Sequence, residues 1–475
     1  MNNTLKKNYY YNLVYQIVAV VVPILITPYI SRTIGASGIG YYSYAKSLST
    51  YFILFAELSV EIYGQREIAF CNNDRISRSK VFFELLIIRI TTTAVSLFIY
   101  LFFVGLYDGI VRTLLLIQLI DLISVSIEIN WLLRGVEDFR TILIRNLTIK
   151  GLYIIGILLL VKSNNDLVLY VLICSCSLTV ANLSVWFSAK KYVSRIRISD
   201  LNIRRHIIPL LQIFVPTIAL SLYHLIDKTM LGALLNDSVE SGNYEQSLKL
   251  ITIATTIITS FGTVMAPRVS SLYSEKKTES IRENIRGAFN VVWLFALPMA
   301  CGFFLIAQII VPWFFGKGFE KVTDILRIFS LIVVPIGMKN VFGAQYLVAT
   351  KKQNKYTMAV LTGLIINVIF NAILIPIYKS IGATIASVIS EVAIVIMLFV
   401  IVRKEFTVVD VFSGIWKKII ATIAMGIGVY FALKYCKPRM IDTIITILLA
   451  IVIYFSVLLL LKDETTLSFL SKRSK

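Results

Sequence analysis

The chain has 475 residues, of which 57% are hydrophobic and only 16% charged, whereas roughly 25% of residues are charged in an ordinary soluble protein. Lys and Arg outnumber Asp and Glu by 47 to 27, a balance that in a soluble chain would suggest a nucleic-acid partner. The five cysteines include no CxxC pair and there are only two histidines, too few ligands for a structural zinc site. Together with a mean hydropathy of +0.80, the composition excludes a disordered chain, a disulfide scaffold and a nucleic-acid binder. It favours an integral membrane protein and indicates neither a metal nor another cofactor.

Apolar windows predict an all-α polytopic membrane protein. A bilayer core of roughly 30 Å requires about 20 apolar residues of helix, and fourteen windows of this kind lie between clusters of charged or turn-forming residues. The predicted spans are residues 9–31, 41–62, 81–104, 113–133, 142–161, 167–189, 207–231, 243–266, 287–311, 322–349, 356–377, 382–402, 415–434 and 440–461. The first span follows two lysines, as a signal peptide would, but it contains Pro23 and Pro28 and lacks a small-residue cleavage site. We therefore expect it to be retained.

The distribution of Lys and Arg among the loops predicts the orientation, because cytoplasmic loops carry an excess of these residues. With the N-terminus inside, the inner segments of the predicted topology hold 31 Lys and Arg, and the outer loops hold 9. One missed or added span would invert every later loop. The asymmetry therefore supports the helix count and predicts that both termini are cytoplasmic.

A few basic residues remain inside the predicted spans or at their outer ends. A charged side chain costs roughly 2.5–3.5 kcal/mol at a helix centre on insertion scales, so it is rarely kept unless it faces an aqueous cavity, an ion pair or an anionic ligand. The candidate binding cations are Arg32, Lys46, Arg89, Lys228, Lys249, Arg327 and Lys339. Arg89, like Lys150, also lies near enough to the cytoplasmic end for its side chain to snorkel to the interface.

Acidic residues accompany these cations. They are Glu57, Glu61, Asp121, Glu128, Asp227 and Glu245, which we interpret as residues of a cavity, a gate or an ion-coupling site. At 100° per residue, Glu57 and Glu61 share one face of the second span with Lys46, and Asp121 and Glu128 share one face of the fourth. These charged stripes predict a polar cavity whose outer cations would attract an anionic head group from the cytoplasmic side. Ion pairs that close an outer gate are the alternative.

A weak internal repeat divides the first twelve spans into halves. Val22-Pro23 corresponds to Val215-Pro216, and residues 40–48 resemble residues 242–250. Six helices per half give both copies the same orientation, which predicts two six-helix lobes related by a pseudo-two-fold axis along the membrane normal. The predicted divisions are an N-terminal lobe at 1–206, a C-terminal lobe at 207–402, and two extra helices with a cytoplasmic tail at 403–475.

Several motifs give the sequence a resemblance to a known family. Near the N-terminus they are PILITPYISRTIG at 23–35, GIGYYSYA at 38–45 and YGQREIA at 63–69; further along they are NVIFN at 367–371, Ile375-Pro376 and IGAT at 381–384. These motifs resemble bacterial polysaccharide flippases of the Wzx type, which belong to the multidrug/oligosaccharidyl-lipid/polysaccharide exporter superfamily. The N-terminal pattern is typical of the polysaccharide branch.

The resemblance implies a substrate and a location. It implies a flippase in the bacterial inner membrane that moves undecaprenyl-diphosphate-linked repeat units of O-antigen, capsule or a similar polymer to the outer leaflet by alternating access of two lobes. Membrane lipids, a polysaccharide polymerase and glycosyltransferases of the same pathway are the implied partners. On this interpretation Arg32, Lys46, Lys228 and Lys249 bind the diphosphate, because Lys and Arg are the usual phosphate partners.

Three other functions remain alternatives. A multidrug or cation exporter of the same superfamily would be expected to favour an acidic cavity. A membrane-embedded transferase usually needs a sizeable loop with catalytic residues, whereas the predicted loops are short and mostly basic. The chain also has no P-loop, so direct ATP hydrolysis is not expected. A scaffold or pore is disfavoured by charges that are spread over both halves.

Overall fold

The computed structural model describes residues 3–71, 74–235 and 237–471, and all regular secondary structure in these ranges is helical. The α-helices are α1 (Asn3–Glu57), α2 (Val60–Phe70), α3 (Arg75–Val104), α4 (Gly109–Ser126), α5 (Asn130–Gly135), α6 (Phe139–Leu160), α7 (Leu167–Tyr192), α8 (Arg204–Leu234), α9 (Ser238–Ser274), α10 (Thr278–Phe315), α11 (Val322–Ser330), α12 (Val333–Asn340), α13 (Gln353–Val402), α14 (Val408–Phe412), α15 (Ile415–Leu433), α16 (Met440–Leu460) and α17 (Glu464–Ser471). Two 3-10 turns precede α7 and α8, and a π-helical segment, Val341–Val348, follows α12.

Eleven helical segments in the described ranges are long and apolar enough to cross a membrane. They are Arg75–Val104, Gly109–Gly135, Phe139–Leu160, Asn164–Tyr192, Arg204–Leu234, Ser238–Ser274, Thr278–Phe315, Val322–Val348, Gln353–Val402, Val408–Leu433 and Met440–Leu460. Each contains one of the predicted spans completely or except for its last residue, and Gln353–Val402 contains two. The prediction of an all-α, multi-pass membrane protein is therefore confirmed.

Two of the longest helices are broken by local backbone geometry. In α1, Gly35 has φ 75° and ψ 173°, a combination that glycine adopts readily because it has no Cβ. In α13, Lys379 has φ 55° and ψ −130°. Close to this break, a Cβ added to Gly382 would lie 2.2 Å from the carbonyl oxygen of Leu374, so the turn requires glycine. Both breaks coincide with loops that the apolar windows predict.

The chain divides into two units, Met1–Leu222 and Tyr223–Lys475, with the boundary inside α8. The core of the first unit is built around Trp131, which is fully buried against Phe82 and Leu85. Gly64 permits this packing, because a Cβ there would lie 2.8 Å from the indole ring. A core cluster of the second unit joins α10, α15 and α16.

Large apolar side chains also cover much of the outside of the helices. Phe98, Phe187 and Leu460 are 79%, 81% and 81% exposed. Water would penalise an apolar surface of this extent, whereas lipid chains do not. The exposed residues are therefore those expected of a surface in contact with a bilayer.

Candidate functional site

In the first unit, Lys46 of α1 and Asp121 of α4 form an ion pair with a distance of 2.8 Å from Nζ to Oδ2. The lysine side chain is 34% exposed and the aspartate is 5% exposed. The other carboxylate oxygen of Asp121 is buried without a hydrogen-bond partner in the described part of the chain. The ammonium of Lys46 is therefore accessible, whereas the carboxylate of Asp121 is buried.

Arg89 of α3 is fully buried, and its partners lie at the end of α4. Its Nε donates to the carbonyl oxygen of Val125 at 2.8 Å, and its Nη1 lies 2.7 Å from Oε2 of Glu128. Burial in an ion pair, rather than snorkelling to the interface, accounts for this arginine.

The structure corrects both predicted charged stripes of the first unit. Leu58 and Ser59 have φ of 42° and 57°, so α1 ends at Glu57 and Glu61 belongs to α2. Likewise α4 ends at Ser126, so Glu128 does not share a continuous helix face with Asp121. Hydropathy windows are insensitive to such breaks, because a turn of two or three residues leaves the average hydropathy unchanged.

The acidic residues of the broken stripes still lie near cations. Glu61 pairs with Arg134 of α5 at 2.5 Å. Glu57 makes no ion pair within 4 Å among the described residues, but it interacts electrostatically with Arg89, Glu61 and Glu128. Three carboxylates of this unit, Glu57, Glu61 and Glu128, therefore lie near two arginines.

In the second unit, Asp227 of α8 accepts three hydrogen bonds while nearly buried. Tyr244 of α9 donates its hydroxyl at 2.6 Å, and Ser387 of α13 donates at 2.7 Å, both to Oδ2. Asn371, also of α13, donates Nδ2 to Oδ1 at 2.6 Å, and the same amide donates to Asn367 at 3.0 Å. This network fixes α8, α9 and both segments of α13 around one carboxylate.

Lys228 and Glu245 form the next pair in the second unit, with 2.6 Å between Nζ and Oε2. Both side chains are half-buried. Lys249, one turn further along α9, is also half-buried and has interactions of its own. Of the two predicted outer cations of this unit, Lys228 is therefore paired with a carboxylate.

A further ion pair of the second unit joins Lys339 of α12 to Glu391 of α13, at 2.5 Å. The ammonium also lies 5.2 Å from the ring centre of Tyr223. Lys339 lies two residues before the π-helical segment, a distortion that is frequent at functional sites. Glu391 is absent from the predicted set, although a lone carboxylate inside the apolar span 382–402 was a signal for it.

The two remaining candidate cations are Arg327 and Arg32. Arg327 is half-buried on α11, 3.8 Å from Asp324 and 3.1 Å from Oε1 of Gln308. Arg32 is exposed on α1, three residues before the break at Gly35.

Residues of the Asp227 network were only partly recognisable in the sequence. Asn367 and Asn371 belong to the NVIFN motif, and Tyr244 lies in the repeated segment 242–250, but neither pattern indicates a shared carboxylate. No group of three or more His, Cys, Asp or Glu suited to a metal occurs in the described ranges.

An apolar cavity of about 430 Å³ lies within the second unit. Side chains of α9, α10, α15 and α16 line it, among them Phe295, Met299, Met425 and Tyr454. Such a cavity suits a hydrocarbon chain better than a sugar or a phosphate, because its lining offers almost no hydrogen-bonding groups.

The fold and these intramembrane ion pairs define a multi-pass membrane protein with charged groups inside its helical units. Residues 5–273 match the family model described as "Polysaccharide biosynthesis protein", and residues 213–373 match the MatE family model. Because the first match covers more than half of the chain, the protein belongs to this polysaccharide biosynthesis family. The predicted resemblance is confirmed at that level.

Curated relatives are similar over nearly their full length. The chain is 20% identical over 415 residues to an Escherichia coli (strain K12) protein named "Putative O-antigen transporter", covering 85% of this chain and 97% of the relative. It is 24% identical over 416 residues to the Staphylococcus aureus "Capsular polysaccharide biosynthesis protein CapF", covering 84% of this chain and 100% of the relative.

Two solved structures show the same fold. The chain superposes on the lipid II flippase MurJ in an inward closed conformation with a TM-score of 0.71 and 16% identity, covering 95% of this chain and 98% of that one. With an inward-facing multidrug resistance MATE family transporter, the TM-score is 0.62 and the identity 15%, covering 81% and 97%.

Proposed function

We propose that the protein is a flippase that moves lipid-linked oligosaccharide repeat units of the O-antigen or capsule type to the outer leaflet of the bacterial cell membrane. The observation that carries this proposal is similarity over almost the full length of two relatives named for O-antigen transport and capsular polysaccharide biosynthesis. Membership of the polysaccharide biosynthesis family agrees with it. In this role the protein is a transporter and not an enzyme.

The substrate implied by this role has three parts with different chemical needs. Its diphosphate needs cations, which Lys46, Lys228 and Lys339 supply from within predicted spans. Its sugars need polar groups, which the networks around these lysines provide. Its polyprenyl chain needs an apolar surface, for which the cavity lined by α9, α10, α15 and α16 is suited. Arg32 and Lys249 extend the proposed cationic set at the outer ends of the spans.

We infer fourteen membrane crossings. Eleven segments qualify as spans, one of which is divided at Lys379, and α1 is divided at Gly35. Counting the parts of α1 and α13 separately gives the number predicted from the sequence. The loop charge asymmetry then places both termini in the cytoplasm, and two six-helix lobes that alternate access remain the proposed working arrangement.

The substrate also suggests partners. Glycosyltransferases must assemble the repeat unit on its lipid before transport, and a polymerase must join the units afterwards. We propose transient contact with both, in addition to the membrane lipids.

A multidrug exporter is the second candidate, because residues 213–373 match the MatE family and a MATE transporter shares the fold. The partly exposed ammonium of Lys46 argues against a cationic drug in the first unit, since an ammonium repels a cation.

Reconstitution separates the two candidates. Proteoliposomes would receive undecaprenyl-diphosphate-linked oligosaccharide, and periodate added outside would oxidise only sugars in the outer leaflet. The proposed function predicts that the protein exposes the inner-leaflet fraction, which stays protected in empty liposomes. Ethidium movement without any exposure of sugar would contradict it and favour the drug exporter.

A further inference from the structure

The ion pair of Lys46 and Asp121 is strongly asymmetric. The lysine side chain is 34% exposed, whereas the aspartate is 5% exposed and lies behind it. An anion can reach the ammonium from its exposed side, whereas the carboxylate behind it is buried. An anion that draws Nζ away from the carboxylate competes with Asp121 for the ammonium group.

A buried carboxylate that loses its cation must be neutralised. A bare charge in a nonpolar interior costs several kcal/mol, and such groups take up a proton instead. The ionisable groups that face Asp121 from the packed helices are Lys46 of α1, Tyr100 of α3 and Cys174 of α7. Neither Tyr100 nor Cys174 carries a positive charge, so among the described residues that face Asp121 no second cation replaces the lysine.

Asp121 and the neighbouring Gln118 of α4 both have buried polar atoms without hydrogen-bond partners in the described ranges. Its Oδ1 is buried and unpartnered, and one helical turn earlier Gln118 is fully buried with both amide atoms unpartnered in the described ranges. A protonated carboxyl group is a hydrogen-bond donor, and a glutamine amide oxygen is an acceptor. The amide oxygen of Gln118 can therefore accept a hydrogen bond from protonated Asp121, which the ionised carboxylate cannot donate.

A further unpartnered group, the hydroxyl of Ser175 on α7, lies at about the level of Gln118. Asn182 of α7 donates to Oγ of Ser124 at 2.8 Å, and Trp186 donates to the carbonyl oxygen of Ile127 at 2.7 Å, so the two helices run parallel. Ser175 lies seven residues before Asn182, which at 1.5 Å per residue places it level with Gln118. Its hydroxyl is also buried without a partner.

We propose that binding of the substrate's diphosphate to Lys46 is coupled to the uptake of one proton by Asp121. The inference rests on the proposed function. In the empty state the ammonium pairs with the Asp121 carboxylate. When the diphosphate takes the ammonium, a proton from solvent bonds to a carboxylate oxygen of Asp121, and the Gln118 amide oxygen provides an acceptor for it. Release of the diphosphate returns the lysine to Asp121 and the proton to solvent.

The test measures binding of undecaprenyl diphosphate to the full chain in lipid nanodiscs by calorimetry, with undecaprenol as the ligand that lacks phosphate. In buffers of different ionisation enthalpy, the wild-type protein should take up about one proton per ligand. Between pH 7 and 8.5 its Kd should rise by up to about tenfold per pH unit, beyond the change that the ligand's own titration causes. The wild-type protein should take up about one proton per ligand more than Asp121→Asn does, and equal uptake by the two proteins would overturn the inference.

Asp121→Asn separates the coupling from the ligand's own ionisation. The variant keeps the side-chain volume but does not compete for Lys46, so it should bind about three- to tenfold more tightly at neutral pH and take up no proton at that site. Asp108→Asn is the matched control, because Asp108 is exposed at the start of α4 and caps no backbone group with its side chain. It should behave as the wild type does.

Lys46→Ala distinguishes failure of this inference from failure of the proposed site. It should weaken binding at least about tenfold. If Lys46→Ala binds as tightly as the wild type, the proposed diphosphate site is wrong. If Lys46→Ala binds weakly but Asp121→Asn keeps the wild-type proton uptake, the site stands and the coupling is overturned.

Discussion

Lys339 and Glu391 are withdrawn from solvent together, with exposed side-chain fractions of 12% and 2% and 2.5 Å between Nζ and Oε1. The lysine precedes the π-helical segment after α12, and the glutamate lies in the second segment of α13. The other oxygen of Glu391, Oε2, is buried without a hydrogen-bond partner in the described ranges. The pair therefore links two helices through a charge that neither helix could hold alone inside a membrane.

The first prediction concerns the stability of this pair. Glu391→Ala leaves the Lys339 ammonium buried and unpaired, so it should lower the free energy of unfolding by about 3 kcal/mol. The double variant Lys339→Met with Glu391→Met should recover most of that loss, because it removes both charges. Chemical denaturation in mixed micelles measures the free energy of unfolding of both variants.

Glu275→Gln is the control for this prediction. Glu275 pairs with Lys277 at an exposed site, and its loss should leave stability unchanged. A double variant as unstable as Glu391→Ala would show that the pair itself does not account for the loss.

The second prediction compares two serines on one helix. Ser387 donates a hydrogen bond to Asp227 at 2.7 Å, whereas Ser390, equally buried, donates only to the Ala386 carbonyl of its own helix. Ser387→Ala should cost about 1.5–3 kcal/mol, the range for a hydrogen bond to a charged group. Ser390→Ala should be nearly neutral. Thermal unfolding of the purified variants would show the difference, and equal losses would contradict a specific role for the network.

Much of the fold could be predicted because insertion of a helix into lipid depends on the average hydropathy of about 20 residues. The window 81–104, for example, lies within α3. The breaks at Leu58 and Ser59 could not be predicted in this way, since they depend on the φ angles of two residues. Partners were equally inaccessible: periodicity relates residues of one helix, whereas Lys46 and Asp121 are 75 residues apart. Glu391 could have been found, because it is a carboxylate inside a predicted span.

The third prediction concerns the break in α13. A Cβ at Gly382 would lie 2.2 Å from the Leu374 carbonyl oxygen and 3.0 Å from the backbone nitrogen of Ile375. Backbone atoms cannot turn aside as a side chain can, so Gly382→Ala should destabilise the protein by about 2 kcal/mol or more. Gly287→Ala in α10 has nothing within 4 Å of the added methyl group and should be neutral or slightly stabilising. If Gly382→Ala unfolds at the same temperature as Gly287→Ala, the two segments do not approach this closely.

The fourth prediction concerns orientation across the membrane. Helix α9 runs from Ser238 to Ser274, and the loop charges place its start outside and its end in the cytoplasm. Reporter fusions at residue 237 and residue 275 should therefore report opposite sides, with alkaline phosphatase active at the first and green fluorescent protein fluorescent at the second. The same result at both positions would contradict the proposed topology.

The last prediction concerns the outer cations in the living cell. Lys46→Ala combined with Lys249→Ala should abolish surface polysaccharide in the native host after deletion of its chromosomal copy, because the two lysines are proposed to bind the diphosphate. Lys317→Ala is the matched control, since Lys317 is exposed beyond the end of α10 and its removal should leave the polymer unchanged.

Membrane fractionation must show equal amounts of the alanine double variant and of Lys317→Ala, so that loss of polymer reflects loss of transport. Lys46→Arg with Lys249→Arg, which keeps both charges, should restore part of the polymer. Normal polymer in the alanine double variant would contradict the assignment of these lysines to the diphosphate.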